Sequence, residues 1–278
     1  MASSLPKPAL LLIQGSFQLP QVYGKLVAAL ATRYPVVVHP ALPSLSDPDE
    51  PGFASKTLAT DALAIQQELE RLVSEDRTVI VLAHSYGGLV ASEAIPEELT
   101  WTARRKAEKT GGVLHLFLFS AFILTEGQSV LGVFGESPNN NVKPGGRFAI
   151  KNAGATLYSD LCAEDAQYWE SKIIDQSYAV QTTELSRASY RYISSTYVIT
   201  EIDNAVPVQY QKMFAKTARS ETLLKIHSGH SPMLSKTDEL VNLIDITVKL
   251  AYQRVGLLGN DGELDADMQD KLFSSRRP

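Results

Sequence analysis

The sequence predicts an α/β fold, a mostly parallel sheet with helices packed on both faces. Three observations carry it: short, continuously apolar runs, as strands buried on both faces show; stripes of helical spacing between those runs; and turn residues at most junctions. A chain of 278 residues, 44% hydrophobic and 21% charged, can close one sizeable core and is short for two large domains.

Taken in order, the apolar run 9–13 breaks at Gln14-Gly15-Ser16 and reads as a central strand. Pro20 opens a helix whose Val22, Leu26 and Leu30 share one face. Residues 36–38 form a second buried strand ended by His39-Pro40, and the Pro/Ser/Asp-rich stretch 43–52 is a loop. A clearer helix follows, with Ser55 as N-cap and Leu58, Ala62, Ile65, Leu69 and Leu72 on its core-facing stripe. Strand 78–83 comes next, then a helix over 89–95 stopped by Pro96. A further helical stretch ends in the cationic residues of 104–109 before Gly111-Gly112, as a helix C-terminus favours. Strands at 113–119, 197–200 and 222–226 and a helix at 238–250 complete the core.

The interval between 119 and 197 is longer than a direct crossover needs, since a whole strand-helix-strand unit takes only about 30 residues. Residues 125–190 are therefore expected to form an inserted helical lid over the C-terminal edge of the sheet, where open α/β sheets bind ligands. Within it 137–146 is turn-rich and 163–178 is helix-like with Tyr168, Trp169 and Tyr178. The core then comprises 1–124 and 191–258, and 259–278 is a polar tail.

Composition narrows the function. A net charge of −5 gives no electrostatic footprint for nucleic acid, and no apolar run approaches the ~20 residues that span a bilayer. Cys162, the one cysteine, cannot form an internal disulfide, and the first eight residues lack the apolar stretch of a secretory signal. A reduced, cytoplasmic protein without membrane or nucleic-acid partners is the simplest expectation.

The strongest local signal is Ala83-His84-Ser85-Tyr86-Gly87-Gly88, at the end of a buried strand and directly before a helix. A serine on so tight a strand-to-helix turn needs small residues two before and two after it, and Ala83 and Gly87 meet that condition. Serine is a weak nucleophile at pH 7 and needs a base that is itself oriented by a carboxylate. His39 and His115 read as strand or strand-end residues, and His84 faces away from Ser85. Of His227 and His230, in the loop after the last strand, His230 is preferred because it lies farther along and follows the permissive Gly229. These two histidines lack a third ligand and helical i, i+4 spacing, so no metal site is expected. The acid is assigned to Asp203, in the turn after strand 197–200, ahead of Glu201 and Glu126. Backbone amides of Ser16 and Tyr86 are placed to form an oxyanion hole.

With these elements in place the chain resembles the α/β-hydrolase superfamily, and within it the small esterase-like branch of plant methylesterases and hydroxynitrile lyases. The resemblance rests on Gln14-Gly15-Ser16, Ala83-His84-Ser85-Tyr86-Gly87-Gly88, Asp203-Asn204-Ala205-Val206-Pro207 and Gly229-His230-Ser231-Pro232-Met233-Leu234-Ser235-Lys236. It implies a Ser-His-Asp triad, no cofactor and a lid that sets substrate choice. The chain departs from the pattern in two places: Gln14 stands where relatives usually carry histidine, and Ser231-Pro232 stand where the lyases place a lysine, which argues against cyanohydrin cleavage.

The leading expectation is hydrolysis of a small to medium hydrophobic ester or lactone, with Phe17, Phe122, Phe134, Tyr158, Tyr168 and Trp169 as pocket residues. The rival readings are non-hydrolytic chemistry at the same site (carbon–carbon cleavage, dehydration, isomerisation) and a ligand receptor on a hydrolase scaffold. A homodimer is compatible with either.

Overall fold

The computed structural model describes residues 7–258 and has the expected α/β architecture; the polar tail assigned to 259–278 lies outside the described residues. The wholly buried β1 (Ala9–Ile13) leads through a 3-10 turn at Pro20–Tyr23 into α1 (Gly24–Ala31), whose Leu26 and Leu30 face the core. β2 (Val37–Val38) has only two residues and is half-buried, because it is an edge strand with a neighbour on one side alone. Residues 36–38 are therefore not the doubly buried strand that their composition suggests. α2 (Leu58–Ser74) is capped by Thr57 rather than Ser55. The Thr57 hydroxyl accepts from Thr60 N and the Thr60 hydroxyl accepts from Thr57 N, whereas Ser55 Oγ donates to Gly52 O in the preceding turn. β3 (Thr78–His84), α3 (Gly87–Ala94), α4 (Trp101–Lys106) and β4 (Gly112–Phe119) follow.

The segment after β4 contains short helices, as expected, and also a small antiparallel sheet that the sequence reading lacks. In order it runs α5 (Val130–Phe134), β5 (Asn140–Lys143), β6 (Arg147–Ile150), α6 (Ala153–Thr156), α7 (Ala163–Glu170), β7 (Gln176–Ser177) and α8 (Ala179–Thr182). β5 and β6 form a hairpin and β7 pairs with β6. The core resumes with β8 (Ser195–Thr200), α9 (Val208–Thr217), β9 (Thr222–Ile226), α10 (Pro232–Ser235) and α11 (Thr237–Arg254).

The main sheet has the order β2-β1-β3-β4-β8-β9, and every pairing in it is parallel. One face packs on α2, α3, α9 and the inserted segment, the other on α1 and α11, which buries the central strands on both sides. The turns that follow three adjacent strands, β1, β3 and β4, each hold a non-glycine residue with positive φ: Phe17 (66°), Ser85 (52°) and Ser120 (48°). Strain held at one edge of a sheet is a feature of functional sites. No helix among the described residues is long and apolar enough to cross a membrane, and no cluster of three or more metal-ligating side chains occurs among them.

Candidate active site

Ser85 sits at the turn between β3 and α3, where its φ of 52° is tolerated because the surrounding chain fixes it from both sides. Its carbonyl accepts from Phe122 N at 2.9 Å and Gly88 N at 3.0 Å. The requirement for small neighbours is met by geometry. A Cβ on Gly87 would lie 2.5 Å from the Ile13 carbonyl oxygen, one on Gly88 2.4 Å from that of Phe122, and one on Gly15 2.9 Å from Ser85 Cβ. The loop after β1 and the loop after β4 thus flank the serine closely.

Asp203 follows β8 and is held by an array of donors. Its Oδ1 accepts from Ala205 N and Val206 N, both at 2.8 Å, and its Oδ2 accepts from the Thr200 hydroxyl at 2.9 Å. His230 Nδ1 lies 2.9 Å from the same Oδ2, with the two side chains 3% and 0% exposed. Burial pushes the Asp203 carboxyl up, but the facing imidazole, its hydrogen bond and the Val206 and Thr200 donors outweigh it and hold the group below the usual carboxylate range. An ionised Asp203 requires the proton of His230 to sit on Nδ1. In the neutral ring that leaves Nε2 without a proton. The other candidates lie elsewhere: His227 is exposed beside Glu201, which also faces Lys225, and Glu126 pairs with Arg191. His115 is buried, bonded to Thr196 and pushed down by burial to about 3, so it stays neutral.

His84, directly before the serine, ties the site together. Its Nε2 is 2.8 Å from the His230 carbonyl oxygen, and the two rings are 4.7 Å apart. Burial drives its pKa well below the usual value, so the ring is neutral. A carbonyl only accepts, so the single ring proton is on Nε2 and Nδ1 accepts from the Tyr23 hydroxyl at 2.7 Å. The Tyr23 oxygen also accepts from Gly15 N at 2.8 Å and lies 2.7 Å from the Gln18 side-chain amide. Gln18 Oε1 is the atom placed against the phenol, but Tyr23 has one proton, spent on His84, so the amide is assigned the reverse orientation with its NH2 toward the phenol. One buried network therefore connects the β1 loop, the serine turn and the backbone of His230.

Tyr86, on the other side of the serine, is anchored separately. Its hydroxyl donates to Asp61 Oδ2 at 2.8 Å, and Asp61 also accepts from Ser44 N at 2.8 Å and Ser44 Oγ at 2.6 Å. Gln176 of β7 reaches Ser44 Oγ at 2.9 Å, linking the inserted segment to this cluster. Asp61 is fully buried, which raises its carboxyl to about 6 against the lowering effect of the Ser44 and Tyr86 donors.

A cavity of about 370 Å³ opens over these groups, lined by Ser16, Ser85, Tyr86 and His230 together with aromatic side chains. The backbone amides of Ser16 and Tyr86 engage no protein acceptor among the described residues. Ser85 Oγ likewise has no protein hydrogen bond among the described residues and faces the same cavity as His230.

A family model described as "Alpha/beta hydrolase family" matches residues 10–243. The chain belongs to the α/β hydrolase family. Its relatives include the Alpha/beta hydrolase nvfD of Aspergillus novofumigatus, 26% identical over an alignment of 246 residues that covers 86% of this chain and 95% of that protein. Solved structures with the same fold include polyneuridine aldehyde esterase (17% identity, TM-score 0.66, 87% of this chain and 99% of that one) and the methylesterase MES16 from Arabidopsis (16%, 0.65, 87% and 99%).

In this α/β hydrolase Ser85, His230, Ser16, Tyr86, Phe17, Phe122 and Phe134 all line one cavity, and Asp203 stands behind His230. Trp169 does not line it. That ring packs between the inserted segment and the core and pairs edge-to-face with the exposed Tyr168, while Tyr158 is buried beside Gln18. Phe148, Tyr210 and Phe214 line the cavity although the sequence reading did not name them. Tyr210 and Phe214 stand four apart on one face of α9, a spacing visible in the sequence. Nothing local marks Asp61 or Tyr23, whose partners are distant in the chain.

Proposed function

We propose that the chain is a carboxylic ester hydrolase that works through an acyl-enzyme on Ser85. His230 Nε2 takes the hydroxyl proton as Ser85 Oγ attacks the ester carbonyl, and the amides of Ser16 and Tyr86 hold the developing oxyanion. His230 then gives that proton to the departing alcohol. Water repeats the sequence on the acyl-enzyme and releases the acid. Asp203 holds the imidazole in the tautomer this cycle needs. The inserted residues 125–190 act as the lid that shapes the substrate cavity, and the aromatic lining suits a hydrophobic ester or lactone.

The observation that carries this reading is the buried His230–Asp203 pair facing the same cavity as a serine held at positive φ. The test is a panel of esters and lactones of graded acyl and alcohol size, run with the wild type and Ser85→Ala. Turnover abolished in the variant supports the proposal. Turnover that survives it, or none in the wild type, ends it.

A further inference from the structure

The sheet order puts β3, and therefore Ser85, between β1 and β4. The loops that leave those neighbouring strands each carry a phenylalanine into the cavity, and each ring belongs to a different aromatic cluster. On the β1 side Phe17 packs edge-to-face on Phe148 with centroids 4.9 Å apart, and Phe148 packs on Tyr178 at 5.5 Å. On the β4 side Phe122 meets Phe214 at 5.2 Å and Phe134 at 6.2 Å, and Phe134 meets Tyr210 at 5.8 Å. No ring of one cluster pairs with a ring of the other among the described residues. Both walls approach the serine closely, through Gly15 on one side and the Phe122 amide on the other.

We infer that the cavity is a two-armed cleft straddling Ser85, and that its substrate is an ester with a bulky, apolar, non-anionic group on both its acyl and its alcohol half. This rests on the hydrolase reading above. An ester bound at Ser85 has its two halves diverging from the carbonyl carbon, and the two aromatic clusters line the same cavity from the β1 and the β4 side of that serine. A small alkyl group on either half would leave one arm short of contacts, and a missing methylene in an apolar pocket already costs about 10-fold or more in discrimination.

Charge narrows the class further. Among the described residues the titratable side chains lining the cavity, apart from its tyrosines, are His230 and the exposed Glu136, which accepts from Asn140 and Tyr178. Among the described residues neither lysine nor arginine lines it. A carboxylate on the substrate would meet no cation and would face one fixed anion.

The experiment uses four esters that differ only in which half carries a phenylalkyl group: methyl acetate, methyl 3-phenylpropanoate, 2-phenylethyl acetate and 2-phenylethyl 3-phenylpropanoate. Each is assayed with the wild type, Ile150→Ala for the β1-side arm and Phe134→Ala for the β4-side arm. Ile150 ends β6 two residues after Phe148 and lines the cavity, as Phe134 does, and both side chains are partly exposed. Phe148→Leu and Phe214→Leu repeat the test deeper in each arm.

The doubly substituted ester should exceed each singly substituted one in kcat/KM by about 10-fold. Ile150→Ala should lower kcat/KM several-fold only when one particular half is bulky, and Phe134→Ala only when the other half is. A fifth ester, with a carboxylate replacing the phenyl ring, should fall at least ~10-fold below its primary-amide counterpart. Variants that both act on the same half, methyl acetate turned over as well as the double ester, or an anionic ester accepted equally would overturn the inference while leaving Ser85-dependent hydrolysis standing. Failure of the hydrolase reading is different: no ester is then cleaved, or cleavage survives Ser85→Ala.

Discussion

Replacing Tyr23 by phenylalanine removes one atom and strands three buried groups. The phenol oxygen accepts the Gly15 N–H at 2.8 Å, donates to His84 Nδ1 at 2.7 Å and contacts the Gln18 amide at 2.7 Å, all with the side chain 0% exposed. A buried donor or acceptor left without a partner costs about 1–3 kcal/mol. Losses within one network do not add, because the freed groups relax together. We therefore expect Tyr23→Phe to destabilise the protein by about 3–4 kcal/mol, near the low end of the simple sum of ~3–9. At roughly 2–4 °C per kcal/mol, Tm should fall by about 10 °C. Tyr210→Phe is the control: that ring is 42% exposed with no hydrogen bond among the described residues, and its loss should stay within about 0.5 kcal/mol. Urea unfolding followed by circular dichroism measures both. A loss below ~1 kcal/mol in Tyr23→Phe would refute the assignment of this phenol as the shared partner of the site's loops.

Three further outcomes are expected. Asp203→Asn presents an NH2 to His230, favours the tautomer with its proton on Nε2, and should cut kcat by ~10³–10⁴ while KM changes little; steady-state kinetics with a near-normal kcat would remove Asp203 from the site. Asp61 binds its proton more tightly when folded, with a carboxyl at about 6 against 3.8. Its contribution to stability is therefore full below pH ~4 and lost as pH rises through ~6, so wild type should lose about 3 kcal/mol relative to Asp61→Asn between those limits; a pH-independent difference in denaturation curves would contradict this. Gly87→Ala, whose Cβ would sit 2.5 Å from Ile13 O, should cost about 3 kcal/mol or prevent folding, whereas Gly24→Ala, with open space around an ordinary helical backbone, should stabilise by ~0.5–1 kcal/mol. Thermal melts of the two glycine variants settle their order.

Much of this was readable in the chain because its strongest constraints are local. The doubly buried strands announce themselves as apolar runs, and the serine turn shows its steric demand in Ala83 and Gly87. What could not be read depends on contacts between distant segments. The edge position of β2 follows from sheet order, which no property of Val37 or Val38 encodes. Tyr23 and Asp61 are ordinary helical residues until folding brings His84 and Tyr86 to them. The β5–β6 hairpin is an intermediate case. Its turn at Gly145-Gly146 was legible, but the strands on either side are four residues each, and their alternation is hidden by the asparagines of 139–141. Trp169 illustrates the opposite error, an aromatic residue in the right segment whose ring faces the core rather than the cavity.

The most direct measurement of the central claim is covalent trapping. The folded wild type is treated with a fluorophosphonate and its intact mass recorded beside that of Ser85→Ala. A hydroxyl activated by His230 predicts one phosphonyl adduct per chain, mapped by peptide sequencing to Ser85 and absent from the variant. A wild type that takes up no label, or a variant labelled to the same extent, would contradict the account.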